Sequence, residues 1–123
     1  MNEHPRVLSA TTIIGNKVVN TEGEQLGSIK ELMIDLDDGQ VAYAVLSFGG
    51  FLGLGDKLFA IPLEALTFDT QDRTIILDVD KEVLANAPGF DKDRWPNNAQ
   101  YEAGWLLDIY EYYGYSPYWM PDN

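Results

Sequence analysis

The chain has 123 residues, 46% of them hydrophobic, and carries 20 acidic against 8 basic residues, which gives a formal net charge of −12. This length and composition are typical of one globular domain with a modest core, and the absence of cysteine excludes disulfides, thiolate catalysis and cysteine-ligated metal sites. The acidic surface opposes binding to nucleic acid or anionic membranes, which requires Lys and Arg, and favours either plain solubility or a basic protein partner.

No apolar run approaches the roughly 20 residues needed to cross a bilayer, and the N-terminus lacks the basic region and long apolar core of a secretory signal. We therefore expect a cytoplasmic protein without membrane insertion. Residues 1–12 show no periodicity and are predicted to form a loose arm whose end joins the first strand. The single histidine, His4, lies in this arm, and one histidine without cysteines or clustered carboxylates makes no metal site.

Short strands are predicted over most of the chain after this arm, from their apolar residues and from the turn residues between them. The predicted ranges are 17–19, 26–36, 40–48, 57–61, 66–68 and 74–79. Strand 40–48 is apolar on both of its alternating sets, so we expect a covering layer on its outer face as well as a core on its inner face.

The second strand, 26–36, has an irregular pattern. Its inward-facing apolar residues are predicted to be Ile29, Leu32, Ile34 and Leu36. These residues do not share one two-residue phase, and a β-bulge near Lys30 and Glu31 would reconcile them. Because bulges bend strands, the pattern favours a small, bent antiparallel barrel.

Turns and short helices are predicted between and after the strands. Gly23 and the turn 37–39 are typical of hairpins, and 63–65 is predicted as a one-turn connector. A short helix is predicted over 81–87, with Asp80 as its N-cap, and Pro88 and Gly89 end it. Residues 90–96 are predicted to form a charged loop.

The last segment, from residue 97 onward, holds eight of the 15 aromatic residues and no Lys or Arg. Asn97 or Asn98 can cap a helix that runs to about Tyr113. One face of this helix is predicted to carry Trp105, Leu106, Ile109, Tyr112 and Tyr113, and the opposite face Gly104, Asp108 and Glu111. The aromatic face either seals the barrel or forms an interface with a partner or a second copy.

A glycine-rich loop, 49–57, connects strands 40–48 and 57–61. It lacks the Gly-Lys-Ser/Thr ending of a phosphate-binding loop, because Asp56 interrupts the pattern and a strand follows where a helix would be needed. The loop does present three apolar residues, which are candidates for contact with another protein: Phe51, Leu52 and Leu54.

No catalytic or metal-binding constellation is recognisable in the sequence. The segment 35–39 begins like a calcium loop, but the bidentate glutamate expected at the twelfth position is missing. The carboxylate pairs Asp69/Asp72 and Asp78/Asp80 lie in turns or at strand ends, without a histidine or nucleophile nearby. We therefore expect no enzymatic activity, no cofactor and no metal.

Taken in order, these residues resemble the PRC-barrel family, and especially its small stand-alone bacterial members. The matching motifs are Gly15-x-x-Val18, Gly23-x-x-x-Gly27-x-Ile29, the 35–39 turn, Ser47-Phe48-Gly49-Gly50, Gly55-Asp56-Lys57, Ile61-Pro62, the stretch 77–82 and the stretch 87–92. The resemblance covers about residues 8–96 and implies a small, strongly bent antiparallel β-barrel. The same domain type occurs in the H subunit of photosynthetic reaction centres and in a ribosome maturation factor, where it docks other proteins.

We therefore expect a mainly β protein with a PRC-barrel domain over residues 1–96, a short helix, and an amphipathic aromatic helix and tail over residues 97–123. The expected function is a non-enzymatic protein-interaction module that associates as a homodimer or binds a basic protein partner. The candidate contact residues are Phe51, Leu52, Leu54, Trp105, Ile109, Tyr112 and Tyr113. A small-ligand-binding barrel and an accessory role in ribosome assembly are the alternatives.

Overall fold

The computed structural model describes residues 6–48, 57–87, 89–91 and 103–120. Within these ranges the strands are β1 (Lys17–Val19), β2 (Gln25–Asp35), β3 (Gln40–Phe48), β4 (Lys57–Ile61), β5 (Leu66–Asp69), β6 (Thr74–Leu77) and β7 (Gly89–Asp91). The helices are α1 (Ala10–Ile13), α2 (Lys81–Ala85) and α3 (Ala103–Tyr113), and a 3-10 turn at Leu63–Ala65 joins β4 to β5. The longest of them, α3, has 11 residues, and no helix in the described ranges has the length and hydropathy of a membrane span.

All seven strands belong to one sheet, in the order β5-β6-β1-β2-β3-β4-β7. Neighbouring strands are antiparallel with one exception, the parallel pair of β1 and β6, in which Val18 faces Ile75. This arrangement, with its short helices and the C-terminal helix α3, confirms the predicted mainly β fold. The parallel pair joins strands that lie far apart in the sequence, so the pattern of each strand by itself could not reveal it.

The predicted bulge in β2 is present. The β2–β3 register shifts between Ile29 and Glu31, and it shifts again between Met33 and Ile34. The second shift makes the predicted inward set of β2 wrong at its end, because Ile34 is 55% exposed and Leu36, in the turn beyond the strand, is 86% exposed. Ile29 is buried and Leu32 is half-buried against the core, as predicted.

The core has two parts that lie on opposite faces of β3. The main core contains the larger set of buried residues, among them Val18, Leu26, Ile29, Ala44, Leu46, Phe59, Ile61, Ile75, Leu77 and Leu84. The outer core consists of Tyr43, Val45, Leu58, Ala60 and, from helix α3, Ile109. Alternate residues of β3 and β4 therefore enter the two parts, and α3 supplies the covering layer that the two-sided apolar pattern of β3 predicted.

Several segments differ from the sequence-based prediction, and one of them is strand β6, which ends at Leu77 and not at residue 79. The described part of the expected loose arm contains helix α1, because the Ser9 hydroxyl caps it by accepting a bond from the Thr11 N–H. Helix α2 ends at Ala85, and Asp80 occupies its N-cap position without a side-chain bond to the helix. Residues 89–91, predicted as part of a turn and a loop, form strand β7 and pair with β4.

Candidate functional site

The candidate contact residues of the sequence lie in two regions. Phe51, Leu52 and Leu54 belong to loop 49–56, which lies outside the residues that the structure describes. The other four belong to α3, where Ile109 is buried in the outer core, Trp105 and Tyr113 pack against it, and Tyr112 is partly exposed. Most of the aromatic face of α3 is therefore occupied by contacts within the chain.

Helix α3 contacts the sheet through an aromatic pair and a long-range hydrogen bond, among other packing contacts. The ring of Trp105 meets Tyr43 edge to face, with the centroids 5.6 Å apart. The buried Tyr110 hydroxyl donates to the carbonyl oxygen of Ala42 at 2.8 Å. These contacts are the ones expected of a helix that covers the outer face of the sheet.

Sequence reasoning missed Tyr110, which it assigned to neither face of the helix. The signal was available, because residues 106, 109, 110 and 113 follow the three- and four-residue spacing of a helix stripe. Tyr112 lies beside this stripe, and its hydroxyl donates to the Val83 carbonyl oxygen of helix α2. The stripe residues contact the sheet and Tyr112 contacts the neighbouring helix.

The tail after α3 folds back onto the helix and reaches the β2–β3 hairpin. Tyr118 and Trp119 stack edge to face with each other, and Trp119 meets Tyr110 at a centroid distance of 5.1 Å. A cavity of about 420 Å³ lies between this aromatic group and the hairpin, and Met33 and Leu106 are among the residues that line it. Its polar groups include the Asp35 carboxylate and the Tyr118 hydroxyl, which are hydrogen-bonded to each other.

A second cavity has a volume of about 500 Å³. It lies between the segment that leads into α1, the β2–β3 hairpin and strand β5, and we call it the α1 groove. Its apolar lining includes Val7, Leu8, Leu32, Ile34, Val41 and Phe68. Val7 is 82% exposed and Leu8 41% exposed, so together with the exposed Ile34 they leave aliphatic side chains open to solvent. Exposed apolar residues gathered at a concave surface are typical of a binding site.

A neighbouring cavity of about 470 Å³ continues the α1 groove along β5 and β6 and shares Leu8, Ile13 and Phe68 with it. This end is more polar, since Asp69 and Arg73 line it. On the groove side, the Arg6 guanidinium donates to the Phe68 carbonyl oxygen at 3.0 Å and so occupies one acceptor of the edge strand β5. The N-terminal segment is thereby held beside the groove.

The charged side chains at the α1 groove have mixed sign. Arg6 lines the groove itself, and Asp69 and Arg73 line its continuation. Glu31 and Asp35 belong to the opposite face of β2, since Glu31 pairs with Val45 of the outer core and Asp35 bonds to Tyr118.

Asp69, which belongs to one of the carboxylate pairs considered for acid–base chemistry, and Asp35 both serve as turn caps. One oxygen of Asp69 accepts the N–H groups of Gln71 and Asp72, and one oxygen of Asp35 accepts those of Asp37 and Asp38. Such bonds stabilise the tight turns of the two hairpins. Among the residues that the structure describes, no group of three or more histidine, cysteine or acidic side chains is placed to hold a metal ion.

The bent sheet, its β2 bulge and the glycine-dependent turns define a small β-barrel of the type that the motif series indicated. A sequence model of the PRC-barrel domain matches residues 5–84, which is more than half of the chain, and this protein belongs to the PRC-barrel family. The match ends in α2, so strand β7, helix α3 and the aromatic tail lie beyond it. No curated protein matches the chain.

Proposed function

We propose that this PRC-barrel protein is a non-enzymatic protein-binding module whose α1 groove docks a partner. One observation carries the proposal, namely that Val7, Leu8 and Ile34 expose aliphatic side chains around an apolar cavity of about 500 Å³. Hydrophobic side chains contribute most to association when they are buried by a partner, and concave apolar surfaces are where they gather. The groove also lies within the family-matched part of the chain.

The chemistry of the carboxylates supports a binding role over a catalytic one. Asp35 and Asp69 each use one carboxylate oxygen to accept backbone N–H groups in their own turns. For Asp35, the bond from Tyr118 and these turn bonds lower the pKa, which makes it a poor general acid. A protein-binding site that catalyses no reaction requires only an apolar surface of suitable shape with a polar rim. The α1 groove has both features.

Partner capture with a pair of matched variants tests the proposal. Ile34→Ser removes an exposed aliphatic side chain from the groove, and Val83→Ser removes one from α2, where Val83 is 41% exposed. We expect Ile34→Ser to lose chemically cross-linked partners from the native host, and Val83→Ser to retain them. Equal recovery by both variants would exclude the groove as the docking surface.

The glycine loop and Tyr112 are the other surfaces to compare in the same experiment. Replacing Phe51 and Leu52 together with Ser tests the loop, and Tyr112→Ser tests the exposed edge of α3. If only the loop variant loses its partners, the glycine loop and not the α1 groove is the docking site. The proposed protein-binding function would then be retained, with the loop as its contact surface.

Self-association is the second candidate, because an exposed apolar rim can be covered by another copy of the chain. Light scattering at micromolar concentrations tests it, and a monomer throughout the range would exclude a stable homodimer. A small apolar ligand is the third, since the volume of the α1 groove lies in the range of small-molecule sites. A thermal-shift screen that includes quinones, nucleotides and metals would identify such a ligand by a rise in Tm.

A further inference from the structure

We propose that the cavity of about 420 Å³ between the β2–β3 hairpin and the aromatic tail, which we call the tail cavity, binds a small quaternary ammonium compound. Among the described residues it shares only Ile34 with the α1 groove, and Tyr43 and Leu106 place it on the side of the sheet that helix α3 covers. The site is therefore separate from the one on which the proposed function rests. Its aromatic rings, its carboxylates and their hydrogen bonds together indicate the ligand.

Aromatic side chains form one wall of the tail cavity. Tyr118 and Trp119 both line it, and their rings meet at an angle of 85° with the centroids 5.0 Å apart. A second edge-to-face contact holds Trp119 against the buried Tyr110. Two rings at nearly a right angle form a corner, and the electron-rich face of an aromatic ring attracts a cation, most strongly when the ring is tryptophan.

The hairpin turn supplies negative charge to the same cavity. Asp35 and Asp37 line it, and no Lys or Arg among the residues that the structure describes does so. The bond from Tyr118, and then the turn N–H groups, lower the pKa of Asp35 against partial desolvation, so this carboxylate is ionised at neutral pH. The tail cavity therefore attracts a cationic ligand and repels an anionic one.

The hydrogen bonds of Asp35 decide which kind of cation fits. Its Oδ1 accepts two turn N–H groups and its Oδ2 accepts the Tyr118 hydroxyl, so most of its lone pairs are already used. A primary ammonium group has three N–H donors that need new partners when it leaves water, whereas a quaternary ammonium group has none. The methyl groups of a quaternary ammonium also suit the apolar lining, which includes Met33 and Leu106.

An NMR titration of the full-length protein with three small alcohols tests the proposal. The probe is choline, the first control is the neutral alcohol in which carbon replaces the choline nitrogen, and the second control is ethanolamine, which keeps the charge without the methyl groups. We expect choline to shift the Trp119 indole N–H and the amide signals of residues 33–37 in a saturable way. Its affinity should exceed that of either control at least about tenfold, which is within the range of a desolvated cation–π contact.

Protein variants then assign choline binding to the tail cavity. Trp119→Leu is expected to weaken binding about tenfold, whereas Trp119→Phe keeps a ring and should stay within about threefold of the parent. Asp37→Asn, which changes an exposed side chain, should weaken binding about twofold. Tyr112→Leu and Asp72→Asn are the matched controls, because they remove a ring and a carboxylate that do not line the cavity, and they should bind choline as the parent does. Far-ultraviolet circular dichroism shows that each variant is folded.

Several results would overturn the proposal. Equal binding of the neutral alcohol would mean an ordinary apolar cavity, and equal binding of ethanolamine would mean that the carboxylates attract any ammonium group. An equal loss of affinity in Asp37→Asn and Asp72→Asn would assign the attraction to the overall charge of the protein. The absence of a saturable shift with choline would exclude the site, and binding of a trimethyllysine peptide in its place would make the ligand a modified protein. None of these results changes the test of the α1 groove, which depends on cross-linked partners.

Discussion

Tyr118 and Asp35 lie 83 residues apart in the chain, and the Tyr118 hydroxyl donates to Oδ2 of Asp35 at 2.6 Å. The other oxygen of the same carboxylate accepts the N–H groups of Asp37 and Asp38 in the β2–β3 turn. One side chain therefore closes the hairpin and ties the aromatic tail to it. The bond lowers the pKa of Asp35, with the turn N–H groups adding to the effect against partial desolvation.

The first prediction concerns this tail contact at acidic pH. Because the pKa of Asp35 is lowered in the folded protein, its contribution to stability is present above the ordinary pKa of an aspartate and is lost as the pH falls through the lowered value. Tyr118→Phe removes the largest cause of the shift. We expect an NMR titration to show the Asp35 pKa moving back toward its ordinary value in this variant.

Tyr115→Phe is the matched control, since it makes the same change in the same tail. It should leave the Asp35 titration unchanged. In urea unfolding, the parent should lose more stability between neutral pH and about pH 3 than Tyr118→Phe does. Identical acid dependence of the two proteins would contradict the role assigned to the bond.

The second prediction concerns Tyr113, whose hydroxyl is buried and has no hydrogen-bond partner among the described residues. Burial raises the pKa of Tyr113, with Tyr112 nearby adding to the effect. A buried polar group without a partner costs free energy, so Tyr113→Phe should raise the free energy of unfolding by about 1 kcal/mol. Urea unfolding at neutral pH measures the change, and a loss of stability would show that the hydroxyl has a partner.

The individual strands could be predicted well from the sequence, for physical reasons that β3 illustrates. Its bounds follow from the glycine at residue 39 and from a continuous apolar run, and its two-sided burial follows from the absence of any polar set. The bulge at Ile29 and Glu31 also left a visible break in the alternation. Such features depend on residues that are neighbours in the sequence, and the local sequence pattern therefore predicts them.

The α1 groove could not be predicted, because it depends on which distant segments come together. Leu8, Ile34 and Phe68 come from separate parts of the chain, and no local pattern shows that they line one cavity. The apolar pattern of β2 predicts Ile34 as a core residue, because the second register shift of the strand is not visible in the spacing of its apolar residues. The exposed surface on which the proposed function rests therefore forms only when these distant segments come together in the folded protein.

The third prediction concerns Tyr110 at alkaline pH. Burial, and secondarily the charge of Glu64, raises the pKa of Tyr110 from 10.0 to about 12. A raised pKa means that the folded state holds the proton more tightly, so this stabilisation is complete below pH 10 and is lost as the pH rises toward about 12. Tyr110→Phe should reduce that alkaline loss, which unfolding experiments at a series of pH values would measure.

At neutral pH the same variant should be less stable than the parent. The Tyr110 hydroxyl donates to Ala42, and without it the carbonyl oxygen loses its side-chain donor, at a cost of about 1 kcal/mol. Tyr113→Phe is the matched control, because it removes a buried hydroxyl from the same helix and is expected to change stability in the opposite direction. Equal effects of the two substitutions would contradict the hydrogen-bond assignments.

The fourth prediction concerns Gly27, where β2 passes close to the end of β3. Its φ is +147°, and an added Cβ would lie 2.0 Å from the carbonyl oxygen of Ser47. Since that oxygen belongs to the backbone of a paired strand, the strands would have to separate to make room. We expect Gly27→Ala to reduce the free energy of unfolding by at least about 2 kcal/mol.

Gly23→Ala separates the effect of this close approach from that of the backbone angle. Gly23 also has a positive φ, +83°, but an added Cβ there would meet no atom within 4 Å. Only the conformational cost remains, so the loss should be about 1 kcal/mol, clearly smaller than that for Gly27→Ala. Comparable losses in urea unfolding would mean that backbone strain, and not the contact with Ser47, requires glycine at the β2–β3 crossing.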